Sequence, residues 1–166
     1  MHLISQLRDL LDQQAKVMRR IHPNPDWKYG GFEELILDCG TEFTTFSSQD
    51  IVGIPKSCYW NCQQLLKDYS ELIYCEGYAL SPDVSISIRH AWLINEQKEI
   101  IEPTWGENNS VYLGIAFSSK WLTSFLKKRS AMNREDEISI FESNYLEKYS
   151  LLKEGLPLDS YFKFEA

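Results

Sequence analysis

The feature that most narrows the fold is the crowding of strand-like segments into the middle of the chain. Leu72–Leu80, Val84–Ile94 and Glu99–Thr104 follow one another across short turns, and Val111–Phe117 makes a further strand. Turns this short favour antiparallel pairing, because parallel neighbours need a crossover of roughly a dozen residues. In the second segment Ile86, Ile88, His90, Trp92 and Ile94 share one face by the two-residue alternation of a strand, with Ser85, Ser87 and Arg89 on the other. The first face is predicted to be core, which places a histidine inside it.

Helical periodicity frames these strands. Leu3, Leu7, Leu10, Leu11 and Val17 recur at helical spacing up to Ile21, where the prolines of the His22–Asp26 segment end the helix. Glu34–Asp38 reads as a strand, with a turn at Gly40 and a second polar strand or loop through Phe46. After Gly53 and Pro55 a helix opens at Ser57 and Cys58, with Cys58, Cys62, Leu65, Leu66 and Tyr69 on its apolar positions. The polar run from Gly106 to Ser110 reads as a turn cluster. Ser118 or Ser119 is placed to cap a helix from Trp121 to Lys128, and a last helix is expected over Glu142–Lys153, stopping at Gly155. Lys120, Lys127, Lys128 and Arg129 read as a solvated basic edge.

These elements predict one α+β domain over residues 1–166, a mainly antiparallel sheet with helices on one face and at the ends. The motif-bearing core spans about 34–118, with flanking helices over 2–21 and 119–155. A net charge of −7 argues against a nucleic-acid partner, because a polyanion would be repelled. No apolar run approaches the roughly 20 residues of a membrane span, and the N-terminus lacks the basic start and apolar stretch of a secretory signal. The expectation is a soluble, cytoplasmic protein. Four cysteines with no CxxC pair suit reduced thiols rather than a disulfide framework.

Cys58, His90 and Glu102 form the constellation that can carry chemistry. A thiol in the first turn of a helix is acidified by unpaired amides and the helix dipole. An imidazole moves its proton, and an acid fixes the imidazole's tautomer and orientation. A hairpin centred on Glu96, with Asn95-Glu96-Gln97 as its loop, would set His90 and Glu102 directly opposite, their Cβ atoms roughly 4.5–5.5 Å apart. Cys58, Cys62, Cys75 and His90 could instead hold zinc. The small residues Gly77 and Ala79 beside Cys75 suggest close packing of a helix on that strand face.

Taken together, Ile54-Pro-Lys-Ser-Cys58-Tyr-Trp-Asn61, Tyr74-Cys-Glu-Gly-Tyr-Ala79, His90-Ala-Trp92, Ile101-Glu-Pro-Thr-Trp105 and Tyr112–Phe117 resemble, in order and spacing, the transglutaminase-like, papain-like cysteine-protease superfamily, and most of all its small bacterial and phage members. The resemblance covers roughly residues 34–118. It implies a papain-like α+β fold, a central antiparallel sheet packed against the helix bearing the nucleophile. It also implies cysteine-dependent acyl transfer through a thioester, on an amide or ester bond of a protein or peptide substrate, without cofactor or metal. Carried over, the nucleophile is Cys58, the base His90 and the orienting acid Glu102. The chain departs from the pattern in having Glu where the acid is most often Asp, and Ser57 where Gln or Glu often precedes the nucleophile. The Cys58 amide is one oxyanion donor, with Gln49 or Asn61 as candidates for the other. Trp60 and Trp105 are candidates to line a substrate groove. A catalytically silent binding module on the same fold is the alternative.

Overall fold

A computed structural model describes residues 2–106, 109–131 and 139–164. The predicted turn residues Glu107 and Asn108 lie outside the described residues, as does the 132–138 part of the C-terminal flank. The fold is α+β, with a five-stranded antiparallel sheet curled into a half-barrel and a long N-terminal helix. Among the described residues no helix is long and apolar enough to cross a membrane.

The elements are α1 (Leu3–Ile21), α2 (Phe32–Cys39), β1 (Thr41–Phe43), α3 (Cys58–Leu65), β2 (Ile73–Leu80), β3 (Ile88–Ile94), β4 (Ile100–Ile101), β5 (Val111–Ala116), α4 (Ser119–Ser130), a 3-10 turn (Glu142–Glu147) and α5 (Ser150–Glu154). The strand order is β1-β5-β2-β3-β4. Past Phe43 the chain crosses from one edge of the sheet to the other. There the Ile100 amide donates to Thr45 O at 2.7 Å and the Ser47 amide donates to Ile100 O at 2.8 Å, which draws the two edges together.

Curling separates two cores. The convex face carries Tyr74, Tyr78, Ala91, Leu93, Leu113 and Ile115 beneath Leu7 and Leu11 of α1 and Leu35 and Ile36 of α2. The concave face encloses a smaller cluster that includes Phe43, Cys75, Ala79, Trp92, Ile100 and Tyr112. Both faces of β3 are therefore buried from Ala91 onward, while Arg89 is half-exposed.

Several expectations are corrected. Glu34–Asp38 is the middle of a helix, not a strand; a short apolar run fits either period, and the glycines at both ends, the acids in its first turn and packing on α1 and β5 select the helix. In α1 the buried line is Ile4, Leu7, Leu11 and Ala15, and Val17 is exposed. β3 begins at Ile88, leaving Val84 and Ile86 exposed. β4 keeps two residues because the chain folds back after Glu102. Of the two expected cap residues it is Ser118 that caps α4, accepting from the Trp121 amide at 3.3 Å. Arg129, however, is no part of a solvated edge: it is buried against the Phe125 ring and donates to Ser143 O at 3.3 Å. The last helix is broken at Lys148 and Tyr149, both left-handed at φ 55° and 58°. Asn144 knits that break by accepting from the Leu151 amide at 3.2 Å.

The small residues around Cys75 line the concave face in a cluster with Phe43, Trp92, Ile100 and Tyr112, which among the described residues includes no helix residue. Gly77 pairs with both His90 and Gly114, and a Cβ on Gly114 would lie 2.6 Å from the Trp92 ring. A Cβ on Gly77 would collide with the Leu113 carbonyl oxygen, a backbone atom that cannot move aside. Gly77→Ala is expected to destabilise the fold by about 1–3 kcal/mol, the usual cost of overpacking. The check is a lower urea midpoint at unchanged m-value.

Candidate functional site

His90 and Glu102 meet inside the concave face. The imidazole Nε2 lies 2.7 Å from Glu102 Oε2, and the two side chains are 2% and 1% exposed. The expected register is corrected: β3 and β4 pair as Leu93↔Ile101 and Ile94↔Ile100, which centres the hairpin on Gln97 rather than Glu96. Lys98 is left-handed at φ 63°, so the loop is Glu96-Gln97-Lys98, a turn closed by one left-handed residue. Glu102 therefore sits diagonal to His90 rather than opposite it. The offset is even, so both residues stay on one face, and the extra methylene of glutamate helps span the diagonal.

Every acceptor position of Glu102 is filled. Oε1 accepts from the Thr104 amide at 3.0 Å and the Trp105 amide at 3.2 Å, and Oε2 accepts from the Tyr112 hydroxyl at 2.8 Å as well as facing His90. With both oxygens accepting, His90 Nε2 is the donor to the carboxylate, and Nδ1 is the ring nitrogen turned to other partners. Trp105 stacks on the imidazole at 3.9 Å between centroids, 18° from parallel, and excludes water from the pair. Tyr112 shows how far the sheet curls. β5 and β4 are separated by two strands, roughly 14 Å along a flat sheet, yet Tyr112 bonds the residue that follows β4.

Cys58 is the first residue of α3 and is buried. The helix packs against β3, the strand that carries His90. β4 pairs with β3 only at Leu93 and Ile94, so the half of β3 that includes His90 lies beyond that ladder. Asn61 ties the helix to the acid's loop. Its Nδ2 donates to Thr104 Oγ1 at 2.9 Å and to Ile54 O at 2.8 Å, while its Oδ1 accepts from the Ile54 amide at 2.9 Å. The Gly53 amide adds a bond to Pro103 O at 2.6 Å. Residues three apart share a helix face, so the side of α3 that meets the Glu102 loop is the side on which Cys58 lies. Ser57 supplies no side-chain cap, and first-turn amides have no partner within a helix, so negative charge at the Cys58 end is favoured.

The remaining candidates divide. Both amide hydrogens of Asn61 are engaged, which leaves none for an oxyanion. Gln49 lines a polar pocket of about 280 Å³ with Asp50, Ser47 and Glu102. Trp60 is half-exposed in the first turn of α3, and Trp105 stacks on the His90 ring. The zinc alternative finds no support: among the described residues no three His, Cys, Asp or Glu side chains form a group that could hold a metal, so Cys58, Cys62, Cys75 and His90 are not assembled into a site. The cysteines form no disulfide. Burial, with the charges of Glu102 and Cys58, pushes the Cys62 thiol well up, and burial pushes up Cys75.

The sequence reading missed Tyr112 and the two amides that complete the Glu102 shell. The alternation of Tyr112, Gly114 and Ala116 along β5 hinted at a shared face, but only the strand order brings that face to Glu102. Compared with protein-family models, with curated proteins and with solved structures, the chain matches none.

Proposed function

We propose that this chain is a cysteine-dependent acyl-transfer enzyme of the papain-like, transglutaminase-like type, acting on an amide or ester of a protein or peptide. The observation that carries the reading is the buried His90–Glu102 pair, with a fully bonded carboxylate, beside a helix that opens on Cys58. In the proposed cycle the Cys58 thiol gives its proton to His90 Nδ1, and the thiolate sulfur bonds to the substrate carbonyl carbon. The carbon–nitrogen or carbon–oxygen bond then breaks, and His90 returns the proton to the leaving amine or alcohol. Water or an amine, deprotonated by His90, attacks the thioester and releases the thiol. Amides at the start of α3 stabilise the oxyanion, and Gln49 is the candidate side chain to assist them. Glu102 touches no reacting atom in this scheme; it positions His90. Peptidase, deamidase and transglutaminase chemistry share these steps.

The test is iodoacetamide alkylation against pH, resolved by site with peptide mass spectrometry. Cys58 is expected to react below pH 8, under the roughly 8.5 of an ordinary thiol, and to lose that reactivity in His90→Ala. Cys62 and Cys75 are expected to stay unmodified until the protein is unfolded, because their thiols are buried and pushed up. If Cys58 behaves like Cys62, the enzyme reading fails.

One observation favours the silent binding module instead: Trp105 lies over an imidazole that is itself buried. Trp105→Ala separates the readings. Faster Cys58 alkylation at unchanged pH dependence fits a gated catalytic pair, and an unreactive Cys58 in both proteins fits the binding module.

A further inference from the structure

On the convex side, opposite His90, a cavity of about 420 Å³ opens between the end of α1, the start of α2 and the C-terminal segment. This volume suits a small organic molecule. Its walls include two aromatic pairs, Phe32–Phe141 with centroids 5.1 Å apart and Trp27–Tyr149 at 5.8 Å. One buried polar atom in this wall lacks a partner. Glu33 is 7% exposed, and its Oε1 accepts from the Tyr78 hydroxyl at 2.6 Å, but Oε2 has no hydrogen bond among the described residues.

The neighbouring cation does not fill that need. Arg89 Nη2 stands 3.9 Å from Glu33 Oε1 and its Nη1 3.9 Å from Glu142 Oε1, both beyond hydrogen-bond length. Arg89 Nε donates instead to the Tyr78 hydroxyl at 3.3 Å. A Cβ on Gly31 would lie 2.8 Å from Glu33 Oε2, so the glycine leaves the carboxylate edge uncovered by a side chain. Among the lining side chains two carboxylates, Glu33 and Glu142, face the one guanidinium, Arg89. Lys153 Nζ already stands 5.2 Å from the Trp27 ring centre, evidence that this indole accepts a cation on a face.

We infer that this cavity binds a primary amine carried on a flat apolar body, its ammonium donating to Glu33 Oε2 and its body lying between the aromatic pairs. An unpartnered buried carboxylate oxygen is costly, and a charged donor satisfies it while the rings remove the apolar body from water. The inference does not depend on the acyl-transfer reading, since the site lies across the sheet from His90 and Glu102.

The test is isothermal titration of the full chain with tryptamine, indole and indole-3-acetate, which share a ring system and differ in charge. Tryptamine is expected to bind at least about tenfold tighter than either of the others. Glu33→Gln, checked for folding by circular dichroism, is expected to abolish that preference, and Trp27→Leu to weaken tryptamine. Absence of tryptamine binding at millimolar concentration, or equal or tighter binding of indole-3-acetate, overturns the inference from the wild-type protein alone. So does tryptamine affinity unaffected by Trp27→Leu.

Discussion

Glu102→Gln is expected to slow acyl transfer to Cys58 by roughly 10³–10⁴-fold while leaving the chain folded. The glutamine oxygen can replace Oε1 and accept from the Thr104 and Trp105 amides, so the loop after β4 keeps its anchor. The amide nitrogen then stands where Oε2 faced His90 Nε2 and the Tyr112 hydroxyl. Two N–H groups cannot face each other, so the imidazole must shift its proton to Nδ1, the nitrogen that accepts from the thiol in the proposed cycle. On the proposed cycle the variant loses its base through the wrong tautomer, with little change in geometry. Thiol-dependent hydrolysis of p-nitrophenyl acetate measures the effect, with Cys58→Ala as the zero point. Rates within threefold of wild type (a ratio of about 3 is under 1 kcal/mol) would show that Glu102 does not set the tautomer. Glu102→Ala is expected to behave differently, costing about 3–5 kcal/mol of stability by leaving buried donors without an acceptor.

The second large effect concerns stability and lies on the other face of the sheet. Glu76 is 1% exposed and accepts from Tyr74 at 2.8 Å, from the Ile140 and Phe141 amides at 2.9 and 3.1 Å, and from Ser139, so it tethers the C-terminal segment to β2. Complete burial outweighs these donors, and the carboxyl is pushed up from the usual 4.5 to about 7. A carboxyl raised in the folded state binds protons more tightly there than when unfolded. Its contribution to stability is therefore full below pH 4.5 and is lost as pH rises to about 7, a change of about 3 kcal/mol. Glu76→Gln carries no titrating group and should remove that fall. The difference between wild-type and variant urea unfolding free energies, measured from pH 4.5 to 7.5, isolates Glu76 from every other carboxylate. A constant difference across that range would show that Glu76 is ionised throughout.

Much of this was legible in the sequence. The alternation around Ile88–Ile94 placed His90 facing inward, the period from Cys58 placed the thiol at a helix start, and Ser118 and Ser119 marked the α4 cap to within one residue. The hairpin argument found the right partner for His90 through a register two positions out along the strand, because parity alone kept Glu102 on that face. Glu34–Asp38 was illegible as a helix, since five residues do not distinguish a two-residue from a 3.6-residue period. Arg129 looked like surface because its neighbours are lysines, and only packing against Phe125 and the turn at Ser143 shows otherwise.

The sequence by itself determined what depends on local period and side-chain chemistry: the helix bearing Cys58, the antiparallel strands, and the pairing of His90 with an acid a short hairpin away. Tertiary structure alone decided the curl that carries Tyr112 across to Glu102, the Asn61 link between α3 and the acid's loop, and the cavity at Glu33. These join residues far apart in the chain, and no local preference encodes which strand lies between which others. Packing between distant residues decides it: Gly77 pairs with Gly114 across β2 and β5, and the Trp92 ring packs where a Gly114 side chain would stand.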